Sequence, residues 1–269
     1  MNICFVGGGN MAAALIGGML GKGYSAEQIN VVEINAENRA LMQRDFGVRV
    51  HSNISDGVED SQIVVLAVKP QQLHGVAQQL APILKDQLLI SIAAGVRALD
   101  LARWSNTQAV VRAMPNTPAL IQSGMTGLFA LPAVSAAQRE QAQNILTAVG
   151  ETLWLLDEAM LDMVTAISGS GPAYVFYFIE ALQQAALELG FDAEQARQLS
   201  ISTFVGASKL AAASNEDAGV LRARVTSKNG TTERALSSLT KNHVAEHILQ
   251  AAKAAAERAS EMGDELGVR

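Results

Sequence analysis

One cysteine, Cys4, occurs in 269 residues. An internal disulfide is therefore excluded, and nothing calls for an oxidising compartment. Aromatic residues are scarce at 4%, and charged residues reach only 17%. With 26 acids against 20 lysines and arginines the net charge is −6. That leaves no basic footprint, so no nucleic-acid partner is expected. Long apolar runs are missing as well. The longest, Tyr174–Ile179 and Ile63–Val68, fall far short of the ~20 residues a membrane helix needs. No basic stretch followed by an apolar segment and a small-residue cleavage site opens the chain. The expectation is a cytoplasmic protein without a membrane partner. Apolar residues make up 49% of the chain, which excludes a disordered polymer. At ~150 residues per domain the length allows one to two domains with a large core.

The first half alternates short apolar runs with helical patterns. Strands are expected at Asn2–Val6, Ile29–Val32, Val48–His51, Ile63–Val68, Leu88–Ile92, Ala109–Ala113, Gly127–Ala130 and Thr152–Leu155. Helical periodicity appears at Met11–Leu20, Ala36–Phe46, Gln72–Leu84 and Gln138–Val149. Continuous apolar strands separated by helices predict a parallel sheet covered on both faces. After about residue 157 the strand signals stop. A helix is expected from Ala173 to Leu189, ending at Gly190, and a second, capped by Asp192, to about Ala213. A short helix at Ala218–Val225 leads to the turn Thr226–Gly230. Thr231 or Thr232 opens another helix, and His243–Leu266 is the last. These Ala-rich helices are apolar around much of their circumference, which predicts burial against a partner.

Gly7-Gly8-Gly9-Asn10-Met11-Ala12 follows the first strand and opens the first helix. It fits G-x-G-x-x-G/A. Gly7 permits the tight turn, Gly9 leaves room for a pyrophosphate, and Ala12 allows close helix–strand packing. The helix N-terminus would hold the phosphates. An acid, Glu33, stands 24 residues past Gly9 at the end of the second strand. It either accepts from the adenosine ribose hydroxyls, which favours NAD, or is a solvated strand-end charge. Arg39 is read as a surface arginine, with a 2′-phosphate contact as the sharper alternative. Three further turns lie where strands should end: Ala67-Val68-Lys69-Pro70, Ala93-Ala94-Gly95 and Met114-Pro115-Asn116 with the Thr-Pro that follows. Ligands of parallel sheets lie at those ends, so all three are expected to line a cofactor cleft.

Other signals are read as structural. His243 and His247 could share a metal on one helix face, but no third ligand is evident, so no metal is expected. His51 and His74 are isolated, and Cys4 inside the first strand reads as packing. Met160–Met163 reads as core.

In order and spacing, GGGNMA, AVKP, RAMPNTP, SGSGPAY and VTSKNGTT together resemble the pyrroline-5-carboxylate reductase family along essentially the whole chain. The resemblance implies an α/β protein. A Rossmann-type dinucleotide-binding domain would cover residues 1–157, and an all-helical substrate-binding and dimerisation domain 158–269. It implies reduction of 1-pyrroline-5-carboxylate, a cyclic imino acid, to L-proline with NADPH or NADH, the last step of proline biosynthesis. It also implies a homodimer at least, in the family often within a larger ring of dimers. By position, the loop Ser227–Thr232 would hold the substrate carboxylate through Ser227, Gly230, Thr231 and Thr232, with Thr232 facing the ring nitrogen. Glu158 matches an acid near the bound product, and Asn53 and Ala67–Pro70 match cofactor contacts. One departure stands out: Lys228-Asn229 replaces the usual Pro-Gly. Asn tolerates left-handed backbone angles and Gly230 remains, so the turn is expected to survive with its local charge changed.

The residues themselves agree with that chemistry. A serine, a turn and two threonines at a helix start present unpaired N–H groups that attract a carboxylate. Helix capping by Thr231 or Thr232 is the structural alternative. A protonated imine is already electrophilic, so its reduction needs alignment more than a strong acid or a metal. Two rivals remain at this stage. A hydroxy-acid dehydrogenase of similar plan would carry a helical lysine followed four residues later by asparagine. Here Lys209 is followed by Ala213 and Lys228 by Thr232. A nucleotide sensor would bind cofactor without turnover.

Overall fold

A computed structural model of the chain describes residues 1–267. Its single sheet has eight strands. They are β1 (Ile3–Val6), β2 (Ile29–Val32), β3 (Arg49–His51), β4 (Ile63–Leu66), β5 (Leu88–Ser91), β6 (Val110–Met114), β7 (Gly124–Ala130) and β8 (Gly150–Trp154). The order is β3-β2-β1-β4-β5-β6-β7-β8. β1 to β6 are parallel, as their continuous apolar runs require. β7 departs from the expected parallel sheet and runs antiparallel to β6. Only a short 3-10 turn, Thr117–Ile121, joins the two, and a parallel return needs a crossover of about a dozen residues or more.

Ile3 and Phe5 of β1 join one buried cluster, while Cys4 and Val6 join another on the opposite face. The sheet is thus covered on both sides by α1 (Asn10–Gly21), α2 (Ala36–Phe46), α3 (Ile54–Val58), α4 (Pro70–Leu80), α5 (Ala98–Ser105) and α6 (Ala136–Leu146). α3 and α5 fall in segments where no helix was expected. α3, at five residues, is too short to display an apolar stripe, whereas α5 buries Ala98, Leu101, Ala102 and Ser105 along one face, a spacing that could have found it. After β8 comes α7 (Met160–Val164), which continues into a π-turn at Thr165–Gly169. Here the expectation of a methionine core is corrected. Leu161 and Asp162 are buried, whereas Met160 and Met163 are exposed.

The chain divides into two compact units, Met1–Ser170 with the chain from Ala254 onward, and Gly171–Lys253. The second unit holds α8 (Gly171–Glu188), α9 (Ala193–Ala212), α10 (Ala218–Arg224), α11 (Thr231–Lys241) and the start of α12 (Val244–Gly267). Asp192 caps α9 as expected, in a capping box with Gln195. The later part of α12 belongs to the sheet unit, where Asp264 pairs with Arg97 at 2.6 Å. In the helical unit large apolar side chains stay exposed, among them Phe176 at 65%, Tyr177 at 68% and Leu210 at 59%. No helix among the described residues is long and apolar enough to cross a membrane.

Candidate active site

A cleft of about 850 Å³ opens at the carboxyl ends of β1, β2 and β4. β1 and β4 are where the strand order reverses, the usual ligand position in such sheets. Gly7, Gly8, Gly9, Glu33, Asn53, Ala67, Val68 and Lys69 all line it. Gly7 must be glycine: its φ is +106°, and a Cβ there would lie 2.6 Å from the Ala67 carbonyl oxygen. Gly9, by contrast, faces open space and is the N-cap of α1 with no side chain closing it. The first N–H groups of α1 are therefore offered to a ligand. Asn10 and Met11 open α1, and Ala12 is fully buried beneath it. The cleft has the size and the open phosphate cradle that a dinucleotide requires.

Glu33 does not wave free in solvent. Its Oε2 accepts the Gly8 N–H at 2.9 Å and its Oε1 the Asn35 N–H at 2.8 Å. Arg39 is more than a surface charge. Its Nη1 donates to the carbonyls of Glu33 and Ile34 at 2.7 and 2.9 Å and so fastens the turn after β2. Sequence reasoning did not single out Gln72, Gly75, Val76 and Gln79 of α4 as lining residues. Their spacing along one helix face is the signal that could have found them.

The remaining predicted loops lie outside this cleft. Pro70 starts α4. Ala93, Ala94 and Gly95 follow β5, and Met114, Pro115 and Asn116 end β6. Asn116 Nδ2 reaches the Ser168 carbonyl at 3.2 Å, and its Oδ1 accepts the Met125 N–H at 2.9 Å. Near them lies a charge cluster in which the sequence reading had singled out only Glu158. Arg112, on β6, has a side chain only 4% exposed and pairs with Glu158 at 3.0 Å and Asp162 at 3.4 Å. Glu158 Oε1 also accepts the Ala98 N–H at 2.7 Å. The available signal was an arginine inside an apolar strand, because a buried charge is almost never unpaired.

In the helical unit Thr226–Gly230 turns into α11 as expected. Asn229 takes φ +60°, and its N–H donates to Glu233 Oε2 at 2.6 Å. A Cβ on Gly230 would overlap the Ser227 hydroxyl and crowd its carbonyl oxygen at 3.0 Å, so a larger residue must push Ser227 aside. Capping by Thr231 or Thr232 is corrected. Gly230 is the N-cap, and no side chain caps α11. Thr231 and Thr232 sit inside the first turn, whose N–H groups lack intrahelical acceptors. His243 lies in the turn before α12, at φ +55°, rather than on the helix expected to start with it; its Nδ1 contacts Glu246 at 2.9 Å, and no group of three or more potential metal ligands gathers among the described residues.

Comparison with known proteins gives the lineage. The family described as pyrroline-5-carboxylate reductase dimerisation matches residues 158–262, and that described as NADP oxidoreductase, coenzyme F420-dependent, matches residues 2–95. A pyrroline-5-carboxylate reductase of Pseudomonas aeruginosa is 47% identical over 267 residues, covering 98% of each chain. Among solved structures, a pyrroline-5-carboxylate reductase of Coxiella burnetii matches with a TM-score of 0.93 and 38% identity, over 97% of this chain and 98% of that one. The Plasmodium falciparum pyrroline carboxylate reductase with NADP bound matches with a TM-score of 0.86 and 28% identity, over 98% of each. With a sheet of this order, a cleft at its switch point and likeness over the whole length, the chain belongs to the pyrroline-5-carboxylate reductase family.

Proposed function

We propose that this protein reduces 1-pyrroline-5-carboxylate to L-proline, with NADPH or NADH as cofactor, in the cytoplasm and as the last step of proline biosynthesis. The observation that carries the reading is 47% identity to a reductase of that name across 98% of the chain. The glycine-cradled cleft supports it, because Gly9 leaves space where a pyrophosphate must approach. Gly7, Gly8, Gly9, Asn10, Met11 and Ala12 form the phosphate turn and the helix start behind it. Glu33 and Asn53 take the adenosine side, and Ala67, Val68, Lys69 and Pro70 form the wall at β4. Next along the sheet, Ala93–Gly95 and Met114–Asn116 are assigned to the nicotinamide side. The reduced nicotinamide supplies the hydride.

Substrate binding is assigned to the helical part, residues 158–269. The uncapped start of α11 offers N–H groups to the carboxylate, helped by Ser227, Gly230 and Thr231. Thr232 holds the ring nitrogen through its hydroxyl. The protonated imine carbon accepts the hydride, and the nitrogen keeps its proton as the secondary amine of proline. Little else is needed from the protein than alignment and exclusion of water. Glu158, held by Arg112 and the Ala98 N–H, is assigned a place beside the product.

The same helices are proposed to form a homodimer, with rings of dimers as a further level. Exposed apolar side chains on α8 and α9 support this, since monomers rarely leave such a surface open. Oxidation of NADH or NADPH on addition of the cyclic imine tests the activity, and light scattering tests the assembly. Tight nucleotide binding without turnover would replace the enzyme by a sensor. An active monomer would remove the dimer.

A further inference from the structure

We infer that Glu33 makes this enzyme selective for NADH over NADPH, because its carboxylate fills the place a 2′-phosphate would need. The inference rests on the cofactor cleft assigned above. Glu33 follows β2 directly and lines that cleft. In sheets of this kind the acid at this position meets the adenosine ribose. Two backbone donors already converge on it, Gly8 N–H at 2.9 Å and Asn35 N–H at 2.8 Å. Arg39, on the first turn of α2, reaches back so that its Nη1 lies 2.7 Å from the Glu33 carbonyl. Two N–H groups aimed at one carboxylate make a donor pair suited to an anion. Here the protein supplies that anion itself.

The consequences for the two cofactors are opposite. A ribose 2′-hydroxyl brings a donor, and each Glu33 oxygen retains a lone pair that can accept it. A 2′-phosphate brings no donor and close to two further negative charges. To reach Gly8 and Asn35 it would have to displace a carboxylate held at both oxygens. Arg39 would favour the phosphate, but its Nη1 is committed to the Glu33 and Ile34 carbonyls.

The test compares kcat/KM for NADH and NADPH, with 1-pyrroline-5-carboxylate as substrate, in four full-length proteins. These are the unaltered enzyme, Glu33→Gln, Glu33→Ser and Glu33→Ser with Arg39→Gln. The unaltered enzyme should prefer NADH by about tenfold or more, the order expected of a partly screened charge pair at close range. Glu33→Gln keeps the size and removes the charge, and Glu33→Ser uncovers both N–H groups. Each should move the ratio toward NADPH by about tenfold or more. Adding Arg39→Gln to Glu33→Ser should leave most of that gain in place, because Arg39 is held by backbone carbonyls that the substitution at 33 does not release. Calorimetric dissociation constants for NAD⁺ and NADP⁺ should follow the same ratios. An unaltered enzyme that prefers NADPH, or Gln and Ser ratios within about threefold of it, would overturn the inference. If no protein turned over with either nucleotide, the proposed reaction would fail instead, and the dissociation constants alone would decide the role of Glu33.

Discussion

Arg112 offers the sharpest test of the packing beside the site. Its guanidinium is almost wholly buried and faces two carboxylates that are themselves 18% and 11% exposed. Arg112→Met keeps the volume of the stem and deletes the charge. Glu158 then retains only the Ala98 N–H, and Asp162 loses its arginine. Breaking a buried pair by removing one partner costs roughly 3–5 kcal/mol, because a charge is left uncompensated. We expect a loss in that range. The two halves of the cluster should not contribute equally. The contact to Glu158 at 3.0 Å has good geometry, whereas that to Asp162 at 3.4 Å is long. Double-mutant cycles with Glu158→Gln and Asp162→Asn should therefore give the larger coupling, about 2 kcal/mol against about 1, to Glu158. The triple variant, with all three charges gone, should recover part of the loss. Urea unfolding followed by tryptophan fluorescence is the assay, because Trp104 and Trp154 both lie in the sheet unit. An Arg112→Met protein within about 1 kcal/mol of the parent, or a stronger coupling to Asp162, would refute the reasoning.

Thr232→Ala should lower turnover ten- to a hundredfold, ~1.4–2.8 kcal/mol, while Thr232→Ser restores most of it. Because Thr232 caps nothing, its stability cost should stay below ~0.5 kcal/mol; an alanine variant with full turnover would leave the substrate nitrogen without its assigned partner. Burial pushes the Cys4 thiol up from 9.0 to about 12, so iodoacetamide should leave the folded protein unlabelled in mildly alkaline buffer and label it in urea. The neutral thiol is favoured in the folded state, so its contribution to stability is complete below pH 9 and is lost as pH rises toward about 12. Gly150→Ala should abolish soluble expression, since Gly150 has φ +149° and a Cβ there would overlap the Gly124 carbonyl; a folded variant with near-parental melting would show that β7 and β8 can part more easily than this pairing implies.

The sheet was legible because its central strands are buried on both faces, so each reads as an unbroken apolar run between helices. Strand direction carries no such periodicity; for β7 the signal was the short link after β6, which leaves no room for a parallel crossover. The glycine turn and Glu33 were legible as residues, yet the two N–H groups that converge on Glu33 come from backbone far apart in sequence. Nothing in the pattern could order them. The Arg112 cluster is the converse case. Its arginine stood in plain view in Val110–Met114, and a buried charge demands partners, but Glu158 and Asp162 lie some way along the chain among other acids. Choosing between them needed the fold.

The loop before α11 separates what sequence decides from what backbone decides. Lys228-Asn229 stands where the family usually has Pro-Gly, a change that would break many turns. Here the left-handed position falls on asparagine, φ +60°, the side chain that tolerates it best after glycine. Its N–H is then taken by Glu233 at 2.6 Å. Gly230 is harder to exchange, because a Cβ there would displace the Ser227 hydroxyl and press on its carbonyl oxygen. The turn therefore keeps its path, and the first N–H groups of α11 stay uncapped. If a substrate carboxylate is held by those N–H groups, the Pro-Gly pair is dispensable as chemistry and matters only as geometry. Asn229→Gly should then leave KM for the imine nearly unchanged, whereas Gly230→Ala, which displaces Ser227 and the helix start together, should raise it steeply.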